Sequence, residues 1–294
     1  LAEYADLDEK TVALVNDLQL ESSIRIHGSV HRHPRHEDEV EVHLKTITVE
    51  QRAEEFPITR KPHGPEFLLN NRHLWLRTKR QVAIQKIRDT IARATVDYFS
   101  SEGFIKIDSP IITANACEGT TTLFPVDYFG DEAYLSQSGQ LYLEAAIAAH
   151  GRVYDFGPVF RAERSKTRKH LTEFWMMDAE MAYVEHEGNL KLQEELILFI
   201  IERVLSERQR ELADLERDVS KLEAIKGPFP RVTHAEIVEI LQKKGSDITK
   251  DTDLGAPDET LLSEIYDQPL FITEWPAHIK AFYMKRHPEK PGVV

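Results

Sequence analysis

Apolar and polar positions alternate along this chain with two periods, one typical of strands and one typical of helices. Period-two alternation runs through 23–30 and 40–49, and the polar stretch between them predicts the tip of a hairpin. Apolar residues recur at helical spacing in 82–99, and Gly103 follows as a common C-terminal signal. The pattern predicts a small β module at the front of the chain and a larger region that begins with a helix.

Both periods occur again in the second half of the chain. Residues 188–222 are predicted to form one long helix or two, and 233–243 a shorter one. Two short apolar runs, 270–273 and 281–284, are predicted to be buried strands. These helices and strands follow each other without an internal repeat.

Composition narrows the class of protein. The chain has 294 residues, enough for one large domain and a smaller one. We expect the smaller module at 1–54, a linker at 55–77 and the main domain at 78–294. Its single cysteine, Cys117, excludes a disulfide framework. The lack of a long apolar run or a secretory signal predicts a cytoplasmic protein that does not associate with membranes. A net charge of −13 disfavours broad nucleic-acid binding but leaves room for a local basic site.

Histidines are frequent near the front of the chain but do not predict a metal site. They are His27, His31, His33, His36 and His43. Their spacing matches no standard zinc pattern, so a solvated hairpin is the simpler interpretation and no metal ligands are predicted.

The strongest chemical signal is a strand–loop–strand segment at 153–178. The cations of its loop are Arg161, Arg164, Lys166, Arg168 and Lys169. Folding does not require this charge, and the order of Arg161, Glu163 and Phe174 suits a nucleotide: guanidinium binds phosphate, carboxylate accepts from an exocyclic amine, and a ring stacks on a base. No glycine-rich phosphate loop is present in the sequence, so side-chain cations would have to bind the phosphates.

The residue order of 160–176 resembles motif 2 of the class II aminoacyl-tRNA synthetases, in the form of the asparaginyl branch. The resemblance implies that Arg161 is the catalytic group and holds the α-phosphate of ATP. It implies that Glu163 contacts the adenine amine and that Phe174 stacks on adenine. Arg168 and His170 are implied to contact ATP as well.

Three segments of the same family imply an amino-acid site. The loop at Glu118 resembles the mobile loop that closes over the bound amino acid, with Glu118 facing the α-ammonium. Residues 136–141 resemble the segment in which Ser138 and Gln140 contact the substrate's ammonium and backbone atoms. Asp178 takes the position of a residue, usually Glu in asparagine-specific members, that accepts from the side-chain amide.

Two observations bear on the choice between asparagine and aspartate. Leu143 stands where aspartyl members typically carry a Lys that pairs with the substrate carboxylate, and this argues against aspartate. Asp178 is one methylene shorter than the usual Glu and is frequent in aspartyl members, so strict discrimination stays open. Glu180, on the same face of the strand, is a second candidate, or a strand-end carboxylate paired with an Arg. Lys280 is another residue that either approaches the site or has a structural role.

The resemblance also implies an assembly. Residues 1–54 resemble the last strands of the oligonucleotide-binding (OB) barrel that reads the anticodon in this subclass. Residues 104–112 resemble motif 1, whose proline, here Pro110, lies in the homodimer interface. From the residues alone Pro110 predicts only an edge position, because proline cannot donate to a strand ladder.

The resemblance therefore implies an α+β fold: the antiparallel sheet of a class II synthetase flanked by helices, preceded by a partial OB-type β module. The expected function is ATP- and Mg²⁺-dependent ligation of asparagine to tRNA(Asn) through an asparaginyl-adenylate. The Mg²⁺ ligands and motif 3 are expected beyond residue 294, so these residues alone are predicted to be inactive. Two alternatives stay open: a paralogue that amidates aspartate without tRNA, disfavoured by Leu143 and the OB strands, and a truncated protein that dimerises or binds ligand without turnover.

Overall fold

The computed structural model describes residues 1–34, 40–59, 61–116, 122–164 and 170–294. The chain divides into two compact units, residues 1–81 and residues 82–294. The helices are α1 (Glu9–Asn16), α2 (Pro65–Asn70), α3 (Arg72–Trp75), α4 (Lys79–Ser101), α5 (Gln140–His150), α6 (His186–Glu207), α7 (Gln209–Asp214), α8 (Ser220–Glu223), α9 (His234–Lys243) and α10 (Ala256–Ile265). The strands are β1 (Ser23–Arg32), β2 (Val40–Gln51), β3 (Ile105–Lys106), β4 (Ile112–Thr113), β5 (Pro125–Tyr128), β6 (Asp131–Leu135), β7 (Arg152–Phe160), β8 (Glu173–Met181), β9 (Arg231–Thr233) and β10 (Phe271–Thr273).

The first unit is built around the antiparallel pair β1–β2. The pairing shifts register beside Gly28, where a Cβ would lie only 2.0 Å from the carbonyl oxygen of His43. Glycine is therefore needed for the two backbones to approach at this bulge. The predicted strand pair is confirmed, whereas the relation of this unit to an OB barrel stays a prediction.

Residues 55–77, predicted to be a linker, contain α2 and α3. Helix α2 begins at Pro65; proline is favoured in a first helical turn because the amide it lacks would have no partner there. The strand predicted at 281–284 is wrong: the segment forms a turn, and Phe282 is 97% exposed. A strand needs a neighbour for its amides, and 281–284 pairs with no strand in the described part of the chain, whereas β10 pairs in parallel with β9.

The centre of the second unit is the antiparallel hairpin β7–β8, to which β3 adds in parallel. Side chains of a strand point alternately to its two faces. One face of the hairpin packs on a core whose buried members are Tyr98, Phe99, Phe104, Tyr154 and Leu196. The rings of Phe99 and Tyr154 stack at 4.9 Å between centroids, which fixes the hairpin on α4.

The other face of the hairpin is the one that bears polar residues. Asp155 and Gly157 on β7 lie opposite Asp178 and Met176 on β8, and the directly opposite residues of an antiparallel pair share a face. Helix α5 lies against this face and contacts both strands. The hairpin therefore has an apolar face that anchors it and a polar face available for chemistry.

A second core lies further along the chain. Helix α9 begins with a capping box in which the side chains of Thr233 and Glu236 each bond to the other residue's backbone amide. The buried residues of this core are Ile237, Val238, Leu241, Ile248 and Leu262, from α9, α10 and the loop between them. The helix predicted at 233–243 is confirmed.

Candidate active site

A tight turn before α5 brings together the residues predicted to bind an amino acid. The Ser138 hydroxyl donates to Asp178 Oδ2 at 3.0 Å, and the Gly139 backbone amide donates to the same oxygen at 3.1 Å. The Gln140 amide donates to Ser138 Oγ at 3.0 Å, and its side chain donates to Glu144 at 3.2 Å. The structure therefore clusters Ser138, Gln140 and Asp178, which are separated by up to forty positions in the sequence.

The bonds of Asp178 give this residue a role that the sequence did not indicate. Its Oδ2 accepts both hydrogen bonds of the turn, so the carboxylate holds Ser138 and Gly139 in place. Charge-assisted bonds of this kind are among the stronger ones in proteins. Asp178 thus positions the turn as well as lying on the face predicted to meet the substrate.

Glu180 is a half-buried carboxylate on the same face. Burial raises its pKa above the usual value, and the nearby charges of Glu144 and Asp178 raise it further. The side-chain carboxylate of Glu180 has no hydrogen bond or ion pair within the described residues. A carboxylate placed among like charges without a donor of its own favours a ligand that brings hydrogen-bond donors or positive charge.

The nucleotide-type residues lie at the other end of the hairpin. The Arg161 amide donates to the Thr172 carbonyl at 2.9 Å, which closes the strand pair, and the Arg161 guanidinium lies 5.9 Å from the centre of the Phe174 ring. Arg161, Glu163 and Phe174 are all partly buried, whereas His170 is exposed. The arrangement places a cation, an acceptor and an aromatic ring within one small region.

The polar face is therefore divided by charge. Glu180 lies six positions after Phe174 along β8, roughly 20 Å at the rise of a strand. One end offers the guanidinium of Arg161, and the other offers Asp178 and Glu180 beside the Ser138 turn. Such a face fits an elongated ligand with an anionic, aromatic end and a cationic or hydrogen-bond-donating end.

Leu143 belongs to α5 and is fully buried. Its apolar side chain brings no cation to the carboxylates. Any compensation for the charges of Asp178 and Glu180 must then come from elsewhere, including the ligand. The sequence comparison of Leu143 with a Lys at this position in aspartyl members is consistent with that chemistry.

Some predicted residues are not brought into this cluster. Glu118 and Arg168 lie outside the described residues, so their predicted roles stay predictions. Pro110 is exposed in the loop between β3 and β4. Lys280 donates to Asp253 at 2.8 Å and its ammonium lies 3.7 Å from the centre of the Trp275 ring, which is a structural bond between two loops.

Reasoning from the sequence missed Asp155. This residue is buried on β7 directly opposite Asp178, and its Oδ2 accepts from the Ser109 amide at 3.3 Å. The only signal in the sequence was an acid within an otherwise apolar strand.

The arrangement of the His, Cys, Asp and Glu side chains decides whether a metal ion can be held. In the described ranges no group of three or more His, Cys, Asp and Glu side chains is placed to hold a metal ion. His43 instead pairs with Glu41 at 2.9 Å, and its ring lies 4.1 Å from that of His31. The Mg²⁺ implied by the resemblance is therefore assigned to none of these residues.

Comparison with known proteins agrees with the fold. Residues 64–293 match the family described as tRNA synthetases class II (D, K and N). The chain is 53% identical over 281 residues to an asparagine–tRNA ligase of Desulforamulus reducens, which covers 96% of this chain. It spans 66% of the length of that relative, just under two thirds.

Solved structures give the same result. Asparaginyl-tRNA synthetase from Pyrococcus horikoshii, complexed with asparaginyl-adenylate, superposes with a TM-score of 0.92 at 40% identity, over 100% of this chain and 68% of that one. Aspartyl-tRNA synthetase from Entamoeba histolytica superposes with a TM-score of 0.80 at 26% identity, over 99% of this chain and 65% of that one. The backbone fold is thus shared by synthetases of both specificities.

The β7–β8 hairpin, with its apolar face on the core and its polar face under α5, is the centre of a class II synthetase catalytic fold. The chain belongs to the class II tRNA synthetases of the D, K and N group. The predicted α+β class and the predicted family are confirmed. No helix in the described part of the chain is long and apolar enough to cross a membrane.

Proposed function

We propose that the whole protein is an ATP-dependent asparagine–tRNA ligase, which activates asparagine as an adenylate and transfers it to tRNA(Asn). The observation that carries this proposal is the division of the hairpin face: Arg161 and Phe174 at one end, and Ser138 with Asp178 and Glu180 at the other. The identity to an asparagine–tRNA ligase supports the choice of amino acid. A neighbour solved with asparaginyl-adenylate supports the choice of intermediate.

In the activation step a carboxylate oxygen of asparagine attacks the α-phosphorus of ATP, and pyrophosphate leaves with the electrons of the broken P–O bond. No protein nucleophile is needed, so the chain contributes by positioning and by charge. Arg161 neutralises the charge that develops on the α-phosphate. Glu163 and Phe174 hold the adenine by its amine and its ring face, and Ser138 and Gln140 hold the amino acid.

Selection of asparagine is assigned to the acidic end of the face. Asp178 is occupied by the Ser138 turn, which leaves Glu180 as the carboxylate best placed to accept from the side-chain amide. Aspartate would bring a further negative charge next to Glu180, Asp178 and Glu144, and like charges in a partly dry site repel. Leu143 supplies no cation that would offset this repulsion.

Several partners complete the proposal. The β1–β2 unit would contact the anticodon of tRNA, and the protein would work as a cytoplasmic homodimer with the Pro110 segment at its interface. Mg²⁺ would accompany ATP. The alternatives of an aspartate-amidating paralogue and of an inactive binding protein are not favoured, since the relative of 53% identity is an asparagine–tRNA ligase.

The test is amino-acid-dependent ATP–pyrophosphate exchange in the full-length protein. We expect asparagine to support exchange and aspartate to be at least about 10⁴-fold poorer in kcat/KM, as in sites that bind a specific substrate group. Glu180→Gln should erode the preference, because an amide can donate to aspartate as readily as accept from asparagine. Comparable exchange with aspartate in the wild type would refute the asparagine assignment.

A further inference from the structure

Asp155 occupies a junction between three segments of the second unit. Its Oδ2 accepts from the backbone amide of Ser109 at 3.3 Å. The Ser109 hydroxyl in turn reaches the carbonyl oxygen of Gly139 at 3.5 Å. A Cβ on Gly139 would lie 2.6 Å from both Asp155 Oδ2 and Ser109 Oγ. Gly139 has a negative φ, a backbone conformation that any residue can adopt. Glycine is required here because there is no room for a Cβ.

Asp155 lies directly opposite Asp178, an arrangement that by itself lowers the stability of the folded chain. Two carboxylates directly across an antiparallel pair repel each other. Both carboxylates lie against one turn: Asp178 accepts from Ser138 and Gly139 on the β8 side, and Asp155 Oδ2 fills the space beside Gly139 on the β7 side. The turn is held between two acids on neighbouring strands.

The same junction joins the turn to the loop that contains Pro110. The Ser136 amide donates to the Ile111 carbonyl at 2.8 Å, and Ser109 is bonded to Asp155 and Gly139 on the other side of Pro110. Asp155 contributes a buried ionisable side chain to this connection. The Pro110 loop and the turn are therefore fixed relative to each other.

We propose that Asp155 is a positioning residue for the amino-acid-binding turn, setting the place of Ser138 and Gln140 through Ser109 and the Cβ-free Gly139. The inference rests on the proposed function for its substrate and goes beyond it in naming a residue that does not touch the ligand. Asp155 acts on the amino-acid end of the face, at a distance from the Arg161 end. Its loss should therefore affect asparagine more than ATP.

The experiment is steady-state ATP–pyrophosphate exchange in the full-length protein. Asp155→Ala leaves the Ser109 amide without its acceptor. The loss of such a hydrogen bond typically changes the equilibrium constant of the process that depends on it by roughly tenfold. We expect the KM for asparagine to rise about tenfold and the KM for ATP to stay within about twofold. Asp155→Asn retains an oxygen that accepts from Ser109 and should restore most of the asparagine KM.

Asp127→Ala is the matched control. The Asp127 side chain also accepts from a backbone amide, that of Gly130 at 3.2 Å, but it is exposed in the β5–β6 hairpin. It should leave both KM values unchanged. Equal rises in both KM values for Asp155→Ala, or no rise in either, would overturn the inference.

A second measurement covers the case in which Asp155→Ala folds poorly. Gly139→Ala should raise the asparagine KM, because its Cβ meets Asp155, and this penalty should shrink when Asp155 is also Ala. Independent, multiplicative effects of the two changes would refute the inference. A wild-type protein without asparagine-dependent exchange would refute the proposed function instead, so the two failures are distinguishable.

Discussion

At the scale of single residues, the polar face of the β7–β8 hairpin works through contrasts of charge and burial. Arg161 and Phe174 at one end and Glu180 at the other lie on a surface whose reverse side is a packed aromatic core. Rigid support matters because oriented charges stabilise a transition state without reorganising. Two residue-scale predictions follow from the two ends of this face.

Arg161→Ala should lower asparagine-dependent ATP–pyrophosphate exchange in the full-length protein by about 10²–10³-fold, the usual effect of removing one contact to a developing anion. Arg161→Lys keeps the charge but not the planar fork, so only partial recovery is expected. Arg25→Ala is the control, since Arg25 forms an exposed ion pair with Glu50 at 3.0 Å. Near-normal exchange by Arg161→Ala would remove this residue from the site.

Glu180→Gln should stabilise the folded chain at neutral pH. Folding raises the pKa of Glu180 above its ordinary value of 4.5, so the unfolded chain loses this proton at a lower pH than the folded chain. The stability of the folded chain therefore falls as pH rises from 4.5 through the raised pKa. The amide removes this penalty, and we expect the Tm at pH 7 to rise by roughly 1–3 °C.

The pH dependence of this gain checks its cause. Well below about pH 4 Glu180 is protonated in both the folded and the unfolded chain. The difference in Tm between Glu180→Gln and wild type should therefore vanish there. Glu173→Gln, an exposed change on the same strand, should give no such pattern. A gain in Tm that is independent of pH would contradict the electrostatic explanation.

At the scale of elements, local sequence decides where helices begin and distant contacts decide which strands form. Helix α9 has both a capping box at Thr233 and a buried apolar face, and its pattern predicted it correctly. The run 281–284 has the composition of a strand but remains a turn, because no described neighbour pairs with it. Strand pairing is a property of two segments, and one segment alone cannot indicate it.

Thr233→Ala should destabilise the second unit by about 1 kcal/mol, the usual cost of losing a helix cap. The Thr233 oxygen accepts from the Glu236 amide at 3.3 Å, and Glu236 accepts from the Thr233 amide at 2.9 Å. Thr233→Ser keeps both bonds and is the control. Urea unfolding followed by Trp fluorescence measures the difference, and equal loss for Ser and Ala would show that the cap is not responsible.

At the scale of the whole molecule, one groove of the second unit exposes large apolar side chains among charged ones. This open groove of about 640 Å³ lies beside the Pro110 loop, and its lining includes Val96, Ile111, Pro158 and Trp175. Trp175 is 59% exposed and Ile111 is 42% exposed. Large exposed apolar surfaces favour association, which supports the proposed homodimer at this surface.

Trp175→Glu should therefore weaken self-association by roughly tenfold or more, because an apolar contact would be replaced by a charge that loses its hydration at the interface. Sedimentation velocity over a range of concentrations measures the shift from dimer to monomer. Tyr183→Glu, a change at a fully exposed aromatic outside the groove, is the control and should leave the dimer intact. Wild-type protein that sediments as a monomer at high concentration would contradict the proposed homodimer.

The sequence by itself determined the family and the helices with amphipathic faces, and it predicted candidate residues of the site. These depend on local order: Arg161, Glu163 and Phe174 lie within one hairpin, and α4 and α9 each have a continuous apolar stripe. Only the tertiary structure decided how the acids divide their roles. Asp178 accepts hydrogen bonds from Ser138 and Gly139, Asp155 accepts from Ser109 beside Gly139, and burial and nearby like charges raise the pKa of Glu180. Hydrogen bonds and like-charge repulsion act over a few ångströms in space, and residues 109, 139, 155 and 178 become neighbours only when the strands pair and α5 packs on them.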